Sequence, residues 1–405
     1  MNTTILPPGA ADRYIALRRD IHEHPELGFE EHRTADIVAT TLAELGYTVT
    51  TGIAGTGVVG SLKMGTSARS IGLRADMDAL PIQETNAIPW ASKTANVMHA
   101  CGHDGHTASL LAAAQAIAQR RQFDGTVNLI FQPAEELGGA GGAKRMMDEG
   151  LFSRFPCDAI FAMHNMPGWP AGQFLFRDRV MMASSDRVLI TLRGKGGHGA
   201  VPQQAIDPTI VAASLILALQ TIVSRNIDPR ETTVISVGKL HAGTSYNIIP
   251  DTAELELSVR TFSAEIRNQL ETRIKDICRL QAESFGATAH VDYQRGYPVL
   301  INTSAETQSA LQVAQQLFGA DQVVADIAPL TGSEDFAYML QDRPGCYLLI
   351  GNGEIGEHNE NSGLTHCMVH NPGYDFNDVC LPRAAKFWTA LVEHRLACGA
   401  EPGNA

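Results

Sequence analysis

The chain has 405 residues, long for one compact core, so two domains are expected. Its hydrophobic fraction of 44% and charged fraction of 19% are those of an ordinary soluble globular protein. A formal net charge of −13 argues against a nucleic-acid-binding surface, which needs a basic patch. No uninterrupted apolar run reaches the ~18 residues of a membrane span. The opening stretch MNTTILPPGAADRY lacks a basic segment followed by an apolar one, so neither a signal peptide nor a membrane is expected. Seven scattered cysteines, without a CxxC pair, favour reduced thiols and a cytoplasmic location.

In chain order, residues 12–24 and 31–46 carry helical periodicity, and VVGSLKMG and SIGLRADMD follow as strands. A helix at about 106–121, an apolar strand Thr126–Gln132 and another at Asp158–His164 continue a βαβ alternation, which predicts a mainly parallel sheet flanked by helices. From Asp186 the texture changes. Arg187–Arg193 alternates as a half-exposed strand, and a helix at 207–225 opens on Asp207-Pro208. ETTVISVGKL and TAELELSVRTF are strands, a helix spans 264–285, and a short strand lies near 288–294. This βαββαβ order is that of a ferredoxin-like sandwich. The expected architecture is therefore α/β: a mainly parallel-sheet domain built from 1–185 and 298–405, interrupted by an inserted ferredoxin-like α+β domain at 186–297.

The segment Met98-His99-Ala100-Cys101-Gly102-His103-Asp104-Gly105-His106 concentrates three imidazoles, a thiol and a carboxylate. Cys101 and His103 stand two apart, so an extended backbone would aim both to one side. Thiolate with imidazole suits Zn, Co, Ni or Mn better than Mg or Ca. The plain alternative is a polar turn with Asp104 or Thr107 capping the next helix. Glu135 and Glu136 follow the apolar strand, where an α/β sheet presents functional groups. Two adjacent carboxylates pointing apart can divide metal binding from proton transfer, although acidic residues also suit any helix start. His164 closes a strand and could equally be structural. In the middle segment, His198 lies in the glycine-rich turn GKGGHGAVP, with Asn247 and Arg260 further on. Ser333-Glu334-Asp335-Phe336 reads as a capped helix start. Gly351–Gly356 matches GxGxxG, but polar turn-like residues follow it, which argues against a dinucleotide site.

Eight segments, taken together, resemble the M20 family of metallopeptidases and amidohydrolases, in its aminoacylase, hippurate hydrolase and auxin-conjugate hydrolase branch. They are HEHPELGFEE (22–31), RADMDALPI (74–82), MHACGHDGHTA (98–108), QPAEE (132–136), MHN (163–165), GKGGHGAVP (194–202), TGSEDFAYM (331–339) and VHNPGYDFND (369–378). The resemblance implies two divalent metal ions per subunit (Zn, Mn, Co or Ni), with Cys101 bridging them and His103, Glu136, His164 and His370 completing the set. It further implies Glu135 as the general base acting on metal-activated water, and His198 as a stabiliser of the oxyanion, in its own or a partner subunit. Asn247 and Arg260 would bind the substrate carboxylate or carbonyl. By the same resemblance the parallel-sheet domain at 1–185 and 298–405 would be a catalytic domain, and the inserted one at 186–297 a lid or dimerisation domain. His370 is preferred to His366 because the family match continues through Asn371–Asp378. His99 and His106 are read as supporting or helix-start residues and Asp78 as a structural or supporting one, while the role of Asp76 stays open. The implied reaction is hydrolysis of N-acyl-L-amino acids by a homodimer or higher homo-oligomer. A dipeptidase or carboxypeptidase, an N-acetyl-diaminopimelate deacetylase and a non-catalytic metal- or thiol-sensing protein are the alternatives.

Overall fold

The structure, a computed structural model, describes residues 5–360 and 362–398. The elements in chain order are α1 (Ala10–Glu23), α2 (His32–Glu44), β1 (Thr48–Ile53), β2 (Gly57–Met64), β3 (Ser70–Asp76), α3 (His103–Arg120), β4 (Gly125–Gln132), β5 (Ala159–Met166) and β6 (Phe174–Leu175). Next come β7 (Ser184–Arg193), α4 (Pro208–Arg225), β8 (Thr233–Ala242), β9 (Thr252–Thr261), α5 (Ala264–Ser284) and β10 (Thr288–Arg295). The chain closes with α6 (Ser304–Phe318), β11 (Val323–Val324), β12 (Gly345–Gly351) and α7 (Cys380–Arg395). Two compact units result. One runs to Met181 and resumes over Ile301–Ala328 and from Asp335 onward, and the other comprises Met182–Leu300 and Pro329–Glu334.

The first unit holds an eight-stranded sheet in the order β1-β2-β4-β3-β5-β12-β6-β11. Its central strands β4, β3, β5 and β12 are parallel, and β1 and β2 add an antiparallel edge. β3 is buried at every position and β4 at nearly every one, the signature of strands covered on both faces. α3 is buried along almost its whole length because its Ala-rich run Ala112–Ala114 lets it approach β3, α1 and α7 closely. The fold is α/β with a mainly parallel sheet, as the βαβ alternation implies.

Beneath α1 lies a buried ionic cluster. Arg18, with no exposure, donates to Asp378 Oδ1 at 2.7 Å and to Asp375 Oδ1 at 2.9 Å. Removing Arg18 would strand buried carboxylates, a loss of about 3–5 kcal/mol. His22 Nδ1 lies 2.9 Å from Asp104 Oδ2 and its Nε2 lies 3.4 Å from Glu84 Oε1. Burial alone would lower the His22 pKa, but Asp104 and Glu84 carry it up to about 10 from an ordinary 6.5. A pKa raised on folding stabilises fully below the unfolded value, and that stability is lost as pH rises through the folded one. Urea unfolding should therefore show stability falling between pH 6.5 and about 10, with a shallower fall in His22→Gln. Equal slopes for the two proteins would remove His22 as the cause. Asp104, engaged here, caps nothing: α3 starts after Gly102 without a side-chain cap, so the plain alternative of a capped polar turn does not hold.

The second unit is an antiparallel sheet in the order β8-β9-β7-β10, with α4 and α5 packed on it. This is the ferredoxin-like strand order that the βαββαβ pattern implies. The alternation of TAELELSVRT buries Ala253, Leu255, Leu257 and Val259 against Leu215, Leu219, Leu270 and Ile274. Asp207 caps α4 by accepting from Thr209 N–H at 2.8 Å. By length and composition alone α4, with a mean hydropathy of 1.5, could cross a membrane, but Val211, Leu215, Leu219 and Ile222 are buried against the unit's own sheet. Ser333 does not cap the next helix, which begins at Phe336. Its hydroxyl instead accepts from Arg260 Nη1 at 3.0 Å.

Candidate metal and catalytic site

Cys101 and His103 flank Gly102, whose φ of 93° places it in the left-handed region. A Cβ there would fall 2.3 Å from Asn165 Oδ1 and 2.6 Å from the Tyr374 hydroxyl, so glycine is required. The backbone is thus sharply turned at the glycine, and His103 opens α3. The two side chains still converge with His164: one ligand atom from each of Cys101, His103 and His164 lies within 4.8 Å of the others. Cys101 Sγ is 3.3 Å from His164 Nε2, and His164 Nδ1 lies 2.6 Å from the Asn165 carbonyl oxygen.

Two further turns complete the cluster. β4 ends in Gln132-Pro133-Ala134, where Ala134 has φ 52°, and Glu135 and Glu136 follow in a 3-10 turn. His370 also has a left-handed φ, 62°, and its N–H donates to the Ala100 carbonyl at 2.7 Å, beside Cys101. Non-glycine residues in this conformation are costly, and here one precedes and the other carries a candidate site side chain. His370 Nε2 lies 3.0 Å from Glu136 Oε1. Cys101, Glu136 and His370 form a second group within 4.8 Å, and His103, Glu135 and Glu136 a third. Cys101, His103 and Glu136 each belong to two of these three groups, a placement compatible with the bridge that the resemblance assigns to Cys101. His366 stands elsewhere, buried against Gly353.

The surrounding residues hold these side chains in place. Asp78 Oδ1 lies 3.2 Å from His103 Nδ1, and its Oδ2 accepts from Glu136 N–H at 2.9 Å. One carboxylate therefore orients two candidate ligands, in the manner of carboxylates that support metal-binding histidines. Asp76 is engaged with His106 Nδ1 at 2.6 Å and with Arg74 Nη1 at 2.6 Å. His99 is buried with no hydrogen-bond partner on either ring nitrogen among the described residues. Sequence reasoning named Asp78 only as a supporting residue and missed Asn165, whose neighbours lie far apart in sequence.

Electrostatics and unmet polar groups favour a cation here. Burial pushes the Cys101 thiol well above its usual range, and Glu136, Glu135 and Asp76 push it further. Burial also holds His164 well below 6.5, aided by His106, which leaves a neutral imidazole suited to ligation. Burial alone would lower His103, yet Asp76 and Asp78 raise it to about 10. Its Nε2 is buried without a hydrogen-bond partner among the described residues. A thiol crowded by carboxylates, an orphaned imidazole nitrogen and a mixed S, N and O donor set fit divalent ions.

The remaining predicted residues belong to the second unit. His198 is exposed and pairs with Ile248 across a short bridge. Its Nδ1 accepts from Ala200 N–H at 3.0 Å, so the neutral ring carries its proton on Nε2. Asn247 is close by: its carbonyl accepts from Gly199 N–H at 2.9 Å, and its Oδ1 from Ser245 Oγ at 2.7 Å. Arg260 is not with them. It pairs with Ser185 near the far end of β9, eight residues beyond Thr252, or roughly 26 Å along the strand.

Comparison with known proteins places this geometry. Residues 72–394 match the model of peptidase family M20/M25/M40. A hippurate hydrolase from Campylobacter jejuni is 45% identical over 93% of this chain and 94% of its own length. Thermostable carboxypeptidase 2 from Saccharolobus solfataricus is 38% identical over 84% and 86%. The crystal structure of the Bacillus subtilis YXEP protein, described as a dinuclear metal binding peptidase, superposes with a TM-score of 0.81 at 34% identity, covering 95% of this chain and 97% of that one. The chain belongs to peptidase family M20/M25/M40.

Proposed function

We propose that this chain is a metal-dependent amidohydrolase that cleaves N-acyl-L-amino acids, hippurate-like or N-acetylated, to a carboxylic acid and an amino acid. The observation that carries the reading is a second carboxylate, Glu135, within reach of His103 and Glu136 beside a thiol shared by two ligand groups. The likeness to a hippurate hydrolase supports the bond and substrate class. Cys101, His103, Glu136, His164 and His370 would hold two divalent ions, of which Zn, Mn, Co and Ni suit the donor set. Such ions supply Lewis acidity toward the amide carbonyl and lower the pKa of water.

The chain's own groups do the rest. Glu135 takes a proton from water and returns it to the departing nitrogen. Asp78 fixes His103 and the Glu136 backbone, and the Asn165 carbonyl fixes His164. His198 Nε2–H is a donor for the developing oxyanion, and Arg260 and Asn247 are donors for the substrate carboxylate or carbonyl. Arg260 stands roughly 26 Å along β9 from Thr252, which follows Asn247 and the His198 bridge in sequence, and this separation favours a homodimer in which His198 and Arg260 serve different sites. Scattered free cysteines favour a cytoplasmic setting.

The likeness to a carboxypeptidase supports a second reading, as a peptidase. Initial rates on hippurate, N-acetyl amino acids and dipeptides, measured in one panel with added Mn, Co, Ni or Zn, separate the two. Faster cleavage of N-acyl amino acids is expected, and a dipeptide preference would replace this reading with the peptidase one.

A further inference from the structure

Glu31 closes the segment HEHPELGFEE and stands immediately before α2, the place of a helix cap. Its side chain caps nothing there. It is fully buried instead, and both of its oxygens are engaged by distant residues. Oε1 accepts from Ala134 N–H at 2.8 Å, and Oε2 from the Thr56 hydroxyl at 2.5 Å. Ala134 is the residue with φ 52° that directs the chain into Glu135 and Glu136. Its carbonyl is held too, accepting from Gly142 N–H at 2.9 Å.

Three glycines close around the same turn. A Cβ on Gly28 would lie 3.0 Å from Ala134 Cβ, one on Gly57 3.2 Å from Pro133 Cδ, and one on Gly142 only 1.8 Å from the Pro133 carbonyl oxygen. The turn is therefore enclosed by backbone and pinned at both of its polar groups. A left-handed alanine bears a conformational cost that glycine does not, and such a conformation persists only where its surroundings hold it.

We infer that Glu31 is a positioning residue, whose buried carboxylate holds Ala134 in its left-handed conformation and thereby aims Glu135 at the reacting centre. The inference rests on the proposed role of Glu135. It acts through one main-chain hydrogen bond, so a side chain of the same shape that still accepts from Ala134 N–H will serve.

The test uses the metal-loaded enzyme and four variants. Glu31→Ala should lower kcat on the order of 10- to 100-fold with KM little changed, as misplacing a reacting group does. Glu31→Gln should keep most of the rate. Ala134→Gly, which accepts a positive φ freely, should restore part of the rate lost in Glu31→Ala when the two are combined. Amide hydrogen exchange at Ala134 gives a readout independent of turnover: protection should fall in Glu31→Ala and persist in Glu31→Gln. Unchanged protection, or a rate loss that follows only the fraction unfolded and is not restored by Ala134→Gly, would overturn the inference. Glu135→Gln measured alongside separates the two ideas. A wild-type rate there defeats the base assignment while leaving the exchange result to judge Glu31.

Discussion

Glu135→Gln is expected to lose about 100- to 10,000-fold in kcat, the range spanned by a positioned general base, while still binding metal. Gln keeps the size of Glu135 and its place after Ala134, so the turn and the candidate ligand Glu136 beside it should be undisturbed. What it loses is a site able to take a proton from water and hand it to the leaving amine. Metal per chain, measured by elemental analysis before and after dialysis, should match the wild type, and KM should move little. If metal falls together with rate, Glu135 is a ligand rather than the base. If both stay at wild-type values, the catalytic assignment fails.

Cys101→Ala should do something different: lose metal first and activity as a consequence. Cys101 Sγ is the atom shared by the group with His103 and His164 and the group with Glu136 and His370, so its removal weakens both. The loss in kcat/KM should exceed the roughly 10- to 100-fold that follows removal of a residue merely supporting a ligand. Asp78→Asn provides that comparison, because Asp78 contacts His103 and the Glu136 N–H without belonging to the ligand groups. Less than two metal ions per chain in Cys101→Ala, with Asp78→Asn intermediate in rate, is the expected ranking. Full metal content in Cys101→Ala would remove the bridging role.

The parts of this molecule legible from sequence are those set by short-range periodicity. The alternation in TAELELSVRT and the apolar run of β4 specify strands because side-chain direction repeats every two residues. The candidate site residues stand out by chemistry, since Cys101, His103, Glu135 and Glu136 lie where strands and helices meet. The backbone that aims them does not. Left-handed φ values at Ala134 and His370 contradict local preference, and each of these residues donates its N–H to a partner distant in sequence, Glu31 for one and Ala100 for the other. Asp104 likewise looks like a helix cap until folding brings it to His22, 82 positions away. His198, Asn247 and Arg260 all lie in the inserted segment, and only strand register shows that Arg260 stands near the end of β9 away from Thr252.

The most direct measurement is a metal titration of chelator-stripped protein, following hippurate hydrolysis as Mn, Co, Ni or Zn is added in steps. The account predicts no turnover in the stripped protein and a rate that rises with bound metal until two ions per chain are present. Undiminished hydrolysis by protein shown to be free of metal would contradict it.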